Sequence, residues 1–399
     1  MTDAIIVNVG SLLARRALAG GNELDLLAVF CESCRQNGIL LGRAVAFMGT
    51  LHPIYEERAF RWDWKEPVES ISEYEADQLL SADSWRRSAL FHLAQTGDTE
   101  VRRRIGFGDR LDFSGLEALA ASGHTDFIAF ACRFGKDVVV GDMNCFYSYF
   151  TTVAPNGFSE AELADLRILV TQLALASRAA ALTDITRTVA SVYLGEDAAR
   201  EVLSGEIVRG HASRIDAVVW YSDLEGFTRL SDISDPDEII PLLNDYSDAV
   251  ISSVHEADGN VLKLIGDGTL AIFRAGTVGD ACRSALQAYY RLRSKIPVLN
   301  ARRQIEGRPV TDVYLGLHLG EVFYGNIGSR DRLDFTVVGR TVNEAARIAG
   351  LCHEHSANML MSSKFVTALG RDSTIETASI GRHVLRGVTK PMELFALAS

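Results

Sequence analysis

The sequence predicts an α+β protein built in two parts, and three observations point there. Short apolar, β-prone runs are interleaved with amphipathic helical stretches through the first half of the chain. A strongly marked helix start at Ser159 closes that half. From Ala217 onward a buried strand, a helix, a tight hairpin and further strands follow in quick succession. At roughly 100–200 residues per domain, the 399 residues correspond to two or three domains.

In chain order, Asn22 caps a helix running to about Gln36, with Leu24, Leu27, Ala28 and Cys31 on one face and Gly38 after its end. Strand-like runs cover Arg43 to Leu51, Glu57 to Trp64, Asp126 to Cys132 and Met143 to Val153. Ser159 and Glu162 form a capping box, and Phe158 with Leu163 a hydrophobic staple. The apolar spacing Leu163, Leu166, Leu169, Leu173 predicts a packed helix, continuing into a helical stretch from Asp184 to about Leu203. Cys31 and Cys34 form a lone CxxC, which without partner ligands reads as a buried pair. His52, Trp62 and Trp64 are candidate pocket residues, with core packing the expected role of the tryptophans.

Composition narrows the classes of function. Apolar residues make up 47% of the chain, ordinary for a protein with real cores. A formal net charge of −12 argues against a general nucleic-acid binder, which needs a basic face. It leaves room for nucleotide chemistry, because metal ions and local amides hold a triphosphate on an acidic protein. The sequence reading finds no membrane span and no signal peptide. Six scattered cysteines then imply reduced thiols and a cytoplasmic location.

The second half carries the chemistry. Ala217–Tyr221 reads as a buried strand ending in Ser222-Asp223-Leu224-Glu225-Gly226-Phe227-Thr228. A carboxylate at a strand end, beside a glycine and a helix start, suits a cation and a phosphate; alone, Asp223 is equally a helix cap. Asp235, Pro236 and Glu238 begin a helix that Pro241 should kink or restart. Lys263 lies on the first strand of a hairpin whose turn is Gly266-Asp267-Gly268. That turn acid, next to the strand-end acid, brings two carboxylates together and fits a two-metal site for in-line attack at phosphorus. A strand from Val313 to Leu319 alternates with Gly316 and Gly320, and Leu333–Gly339 comes next. Thr341 and Glu344 predict a capping box for a helix on which Asn343 and Arg347, four apart, share a face.

In combination, SDLEGFT, KLIGDG, GLHLGEVFYGNIGS and DFTVVGRTVNEAAR, in that order, resemble the catalytic domain of class III adenylyl cyclases from about Ala217 to the C-terminus. The resemblance implies a ferredoxin-like catalytic domain. The first half, above all Phe146 to Ala176 with its NGFSEAEL, resembles a GAF sensory domain of α/β type. The implied organisation is a GAF-like sensory and dimerisation domain at 1–182, a helical transducing linker at 183–212 and a cyclase domain at 213–399.

Carried across by position, the resemblance gives Asp223, Asp267 and the Leu224 backbone carbonyl to two Mg2+ or Mn2+ ions per active site. It places Gly226, Phe227 and Thr228 at the triphosphate. Lys263 matches the lysine that reads adenine; an ammonium is donor-only and suits a ring-nitrogen acceptor. Thr336 matches the second base-reading position, where threonine in place of aspartate marks a subgroup with some bicarbonate-responsive members. Asn343 matches the ribose-orienting residue and Arg347 the cation that stabilises the transition state. Arg386 and Lys390 are both candidates for a phosphate contact. The implied activity is an adenylate cyclase making cyclic AMP from ATP as a head-to-tail homodimer, under signal control through a small-molecule effector of the N-terminal domain. The competing readings are a guanylate cyclase, against which Lys263 weighs, and a non-catalytic nucleotide-binding module.

Overall fold

The computed structural model describes residues 2–65, 70–75, 82–135, 140–141, 143–370, 375–388 and 390–398. The chain divides into two compact units, Met1–Val189 and Ala190–Ser399.

The first unit is a six-stranded antiparallel sheet of order β3-β2-β1-β6-β5-β4. Its strands are β1 (Leu41–Gly49), β2 (Glu57–Asp63), β3 (Ser70–Tyr74), β4 (Glu100–Arg103), β5 (Asp126–Arg133) and β6 (Cys145–Thr152). Strand alternation sorts the side chains onto two faces. Ala44, Ala46, Phe60, Trp62, Phe146 and Phe150 pack under helices α1 (Thr2–Leu18), α2 (Glu23–Gln36) and α5 (Glu160–Leu194). Phe47, Ala59, Phe127 and Ala129 face α3 (Ala89–Thr96) and α4 (Leu116–Ala121).

The expected local signals are realised here. Asn22 accepts from the Asp25 amide at 2.9 Å. Ser159 and Glu162 exchange the two capping-box bonds, at 2.8 and 3.3 Å, and Phe158 and Leu163 are buried in one core. Trp62 is core, whereas Trp64 is exposed beneath the Arg35 guanidinium. Cys31 and Cys34 are buried free thiols, and burial raises both, Cys34 to about 12. The helix formed by the N-terminal residues, α1, escaped the sequence reading. Helix α5 runs to Leu194, through the expected continuation at Asp184. Helix α5 is also the one helix among the described residues long and apolar enough to cross a membrane; Leu163, Leu166, Leu169 and Leu173 pack it into the core.

The second unit holds a sheet of order β13-β14-β12-β10-β7-β9-β8, with β11 paired to β10. Its strands are β7 (Ala212–Leu224), β8 (Asn260–Ile265), β9 (Gly268–Phe273), β10 (Val313–Gly328), β11 (Leu333–Val338), β12 (Met359–Ser362), β13 (Thr377–His383) and β14 (Met392–Leu397). The helices are α6 (Glu196–Leu203), α7 (Phe227–Ile233), α8 (Pro236–His255), α9 (Val278–Ile305), α10 (Arg340–Gly350) and α11 (Ser363–Leu369). Strands β7, β8, β9 and β10 with α8 and α9 follow the βαββαβ order, with neighbours β10-β7-β9-β8. Val218 and Trp220 of β7 pack against α8 and α9, while Ala217 and Val219 face β11, α6 and α10. A strand covered on both faces must be apolar throughout its middle, as Ala217–Trp220 is.

Helix α8 continues through Pro241, where a kink or restart was expected. Proline removes the bond to the carbonyl four residues back. That residue, Asp237, is exposed in the first turn of the helix. The capping box expected at Thr341 and Glu344 does not form. Helix α10 starts two residues earlier, with Gly339 as its N-cap, Thr341 donates to the Glu321 carbonyl at 2.7 Å, and Glu344 turns inward to His318.

Candidate active site

Strand β7 delivers Asp223 to the edge of the apolar layer, and the β8–β9 turn delivers Asp267 beside it. The turn spans two residues, since Ile265 pairs with Gly268, and positive φ falls on Gly266. That matches the twist of a tight hairpin and needs glycine at the first turn position. Gly268 is equally constrained. A Cβ there would stand 2.9 Å from the Ser222 carbonyl oxygen and 3.5 Å from an Asp223 carboxylate oxygen. The Asp267 carboxylate accepts from the Leu224 amide at 3.3 Å.

Asp267 perturbs its neighbour Asp223. Burial, followed by the hydrogen bond and charge of Asp267, pushes Asp223 up to about 7. Two half-buried carboxylates in contact are unfavourable without a cation between them. Their hard oxygen donors fit Mg2+ or Mn2+ rather than a soft metal. No cluster of three or more His, Cys, Asp or Glu side chains that could hold a metal ion occurs among the described residues. Glu225, Gly226, Phe227 and Thr228 come directly after, with Gly226 in the left-handed region before α7.

Helix α10 lies on β10 because two glycines let it. A Cβ on Gly316 would stand 2.3 Å from the Ala345 carbonyl oxygen, and one on Gly320 2.7 Å from the Thr341 hydroxyl. Ala345, Ile348 and Ala349 face inward, which turns Asn343 and Arg347 outward on the opposite face. Neither side chain has a hydrogen-bond or ion-pair partner among the described residues. The turn after Leu385 comes close to Arg347: a Cβ on Gly387 would stand 3.5 Å from its guanidinium. Arg386 therefore belongs to the neighbourhood of Arg347. Lys390 instead lines a cavity of about 660 Å3 with Arg340, Thr341, Lys364 and Arg382, at the opposite end of α10.

Lys263 is re-aimed by a register shift between Val261 and Lys263, a bulge that alternation alone does not foresee. Its ammonium meets the Asp334 carboxylate at 2.5 Å. Asp334 and Thr336, two apart on β11, share a strand face. Thr336 is 3% exposed and its hydroxyl has no hydrogen-bond partner among the described residues. Asp334 opens the DFTVVGRTVNEAAR motif, but the sequence reading gave it no role; its position two residues before Thr336 was the signal available.

His318, also unforeseen, joins the helix to the sheet. Its Nδ1 lies 2.7 Å from the Ser362 hydroxyl and its Nε2 2.9 Å from the Glu344 carboxylate. Burial holds the imidazole down to about 4, outweighing the raising effect of Glu344.

Residues 211–399 match the family model described as the adenylate and guanylate cyclase catalytic domain. The chain is 31% identical over 179 residues to an adenylate cyclase of Anabaena cylindrica, covering 44% of this chain and 35% of that protein. It is 27% identical over 182 residues to adenylate cyclase 1 of Rhizobium meliloti, covering 44% of this chain and 27% of that protein. The chain thus spans about a third of the length of these curated relatives. Among solved structures, the adenylyl cyclase CyaB from P. aeruginosa aligns with a TM-score of 0.43 at 23% identity, over 47% of this chain and 96% of that one. The strand-end and turn aspartates, the outward Asn343 and Arg347, and the family match over the same stretch together identify residues 211–399 as a catalytic domain of the class III nucleotidyl cyclases.

Proposed function

We propose that this chain is an adenylate cyclase, converting ATP into 3′,5′-cyclic AMP and pyrophosphate in a head-to-tail homodimer. The observation that carries the reading is the convergence of Asp223 and Asp267 into one carboxylate pair, in which burial and Asp267 raise Asp223. When bound to Asp223, Asp267 and the Leu224 carbonyl, two Mg2+ or Mn2+ ions would supply the charge neutralisation and hydroxyl activation that phosphoryl transfer requires. The amides from Gly226 to Thr228 face the triphosphate. Asn343 holds the ribose so that its 3′-hydroxyl lines up with the α-phosphorus. Arg347, a cation without a carboxylate partner among the described residues, meets the charge that grows on the phosphoryl oxygens. Arg386 is favoured over Lys390 as a further phosphate contact, because its turn adjoins Arg347.

Lys263 donates to a ring nitrogen of adenine, with Thr336 at the second base-reading position. The homodimer follows from the site's division, with metal aspartates supplied by one subunit and base readers, Asn343 and Arg347 by the other. Exposed Leu264 and Ile265 at the hairpin tip and Val338 on β11 support such an interface.

The first unit is read as a GAF-like sensor of a small-molecule effector in a cytoplasmic protein. A cavity of about 340 Å3, lined by Phe47, Arg61, Trp85 and Tyr149 among others, supports this. At the other end of the path, α6 packs Ala198 against Leu262 and Phe335, neighbours of Lys263 and Asp334. Movement of the linker therefore bears on the base-reading strands.

The test is direct. The purified 399-residue chain is incubated with ATP or GTP and Mn2+, and each cyclic nucleotide is quantified, with Asp223→Ala as control. Cyclic AMP from the parent and at least about a thousandfold less from the variant is the expected result. Full activity in the variant refutes the site assignment, and cyclic GMP as the main product refutes the substrate.

A further inference from the structure

Among the described residues, two arginines and no aspartate or glutamate line the 340 Å3 cavity of the first unit, in a chain whose formal net charge is −12. The strand register explains how they come together. Val45 pairs with Arg61 on one side and with Tyr149 on the other, so the three form a row across β2, β1 and β6 on one face of the sheet. Phe47 opposite Ala59 forms the next row on that face, two residues or about 7 Å along the strand. Trp85 packs on Phe47 with ring centroids 4.8 Å apart, and Phe127 lies 5.1 Å from Tyr149. The two arginines differ in their surroundings. Arg43 donates to the Asp63 carboxylate at 2.9 Å, so its charge is balanced. Arg61 donates only to neutral hydroxyls, Ser72 at 2.8 Å and Tyr74 at 3.0 Å, and has no carboxylate partner among the described residues. A guanidinium has five N–H donors, so Arg61 keeps others for a ligand. The Tyr149 hydroxyl has no hydrogen-bond partner among the described residues. Burial raises this phenol while the charges of Arg43 and Arg61 act against the rise, as groups beside the two guanidiniums do. One end of the cavity thus offers donors and an unbalanced positive charge, and the other offers aromatic and apolar walls.

We propose that this cavity binds an aromatic carboxylate, with the carboxylate oxygens on the Arg61 guanidinium and the Tyr149 hydroxyl and the ring against Phe47, Trp85 and Phe127. This rests on the reading of the first unit as the sensor of a small-molecule effector, and it names the chemical class of that effector. The planar fork of a guanidinium matches a carboxylate in two parallel hydrogen bonds. A single unbalanced cation suits a single negative charge better than a phosphate dianion. The cavity lies at the small end of the range for ligand pockets, and the separation of its polar and aromatic rows suits a fused two-ring acid. Flat rings gain from offset or edge contacts with the aromatic walls beyond the area they bury.

The experiment titrates the full chain by calorimetry with 2-naphthoate, with its uncharged counterpart 2-naphthamide, with its saturated counterpart decahydro-2-naphthoate and with 3′,5′-cyclic AMP. The acid should bind at least about tenfold more tightly than the amide, as expected for hydrogen bonds to a charged group. It should bind about fivefold more tightly than the saturated acid. Arg61→Gln should weaken 2-naphthoate by about tenfold to a hundredfold, and Arg61→Lys should restore part of the loss. Ala118→Phe, at an exposed position of α4 that lines the cavity, should block binding. Arg61 is exposed as well, and matching circular dichroism of parent and variants excludes misfolding as the cause. Absence of 2-naphthoate binding, equal binding in Arg61→Gln, or an amide that binds as tightly as the acid overturns the site. Cyclic AMP that binds more tightly than 2-naphthoate and is displaced by it overturns the carboxylate class. Cyclic nucleotide production with and without saturating 2-naphthoate tests the sensor reading separately. A rate that responds in the parent and no longer responds in Arg61→Gln supports both. Binding with an unchanged rate upholds the site and refutes sensory control through it, so the two failures are told apart.

Discussion

At the scale of the residue, context rather than identity decides role. Asp223 and Asp267 are ordinary as a strand-end acid and a turn acid; burial, followed by the hydrogen bond and charge of Asp267, raises Asp223 to about 7. His318 shows the same principle in a structural setting. It is fully buried between Ser362 and Glu344, with its imidazole held near 4 against an ordinary value of 6.5. Because the folded-state value lies below the unfolded one, unfolding takes up a proton between these limits. The stability it contributes is present above about pH 6.5 and is lost as pH falls toward about 4, amounting to about 3 kcal/mol. Urea midpoints of the parent chain should fall between about pH 7 and about pH 5, and His318→Gln should flatten that slope while lowering the plateau. Parallel pH curves for the two proteins would assign the acid sensitivity to other groups.

At the scale of the element, the proposed catalytic side chains on α10 depend on how closely that helix lies on β10. Gly316 and Gly320 set the distance by omission of a side chain. Gly316→Ala places a methyl 2.3 Å from the Ala345 carbonyl oxygen and 2.6 Å from the Ala349 amide nitrogen. These are backbone atoms of the helix, so the helix itself must shift. The expected cost is about 1–3 kcal/mol of stability. Cyclase activity should fall further, by about a hundredfold in kcat, because Asn343 and Arg347 move with the helix. Activity assayed at a temperature where circular dichroism shows the variant folded separates the effects; an unchanged kcat would show that α10 tolerates displacement. Much of this was legible, since Gly316, Gly320, Asn343 and Arg347 stand at spacings that declare a strand and a helix face. Illegible were the start of α10 and the inward turn of Glu344, because a partner 26 residues away in sequence competes for the carboxylate that a capping box would use.

At the scale of the whole molecule, the proposed activity is a property of two copies. If each site draws its metal aspartates and its base readers from different subunits, specific activity must rise with protein concentration and level off as the dimer fills. A mixture of inactive Asp223→Ala and inactive Arg347→Ala chains should regain activity, since one of the two mixed sites is intact. The assay is a dilution series with cyclic AMP as readout, followed by mixing of the variants. Concentration-independent specific activity together with no complementation would refute the divided site.

By itself the sequence determined which residues end strands, occupy tight turns or share a helix face, because backbone geometry couples neighbours a few residues apart; that Asp223, Asp267, Lys263, Asn343 and Arg347 form the candidate set is what the resemblance of the ordered motifs implies. The tertiary structure alone decided the pairings across distance. It brought Asp334 of β11 to Lys263 of β8, placed the Gly387 turn against Arg347 while sending Lys390 elsewhere, and locked His318 between Ser362 and Glu344. No periodicity encodes such contacts. They arise from the order in which strands lie in the sheet, from a bulge that redirects one side chain, and from the depth to which a helix settles on the sheet.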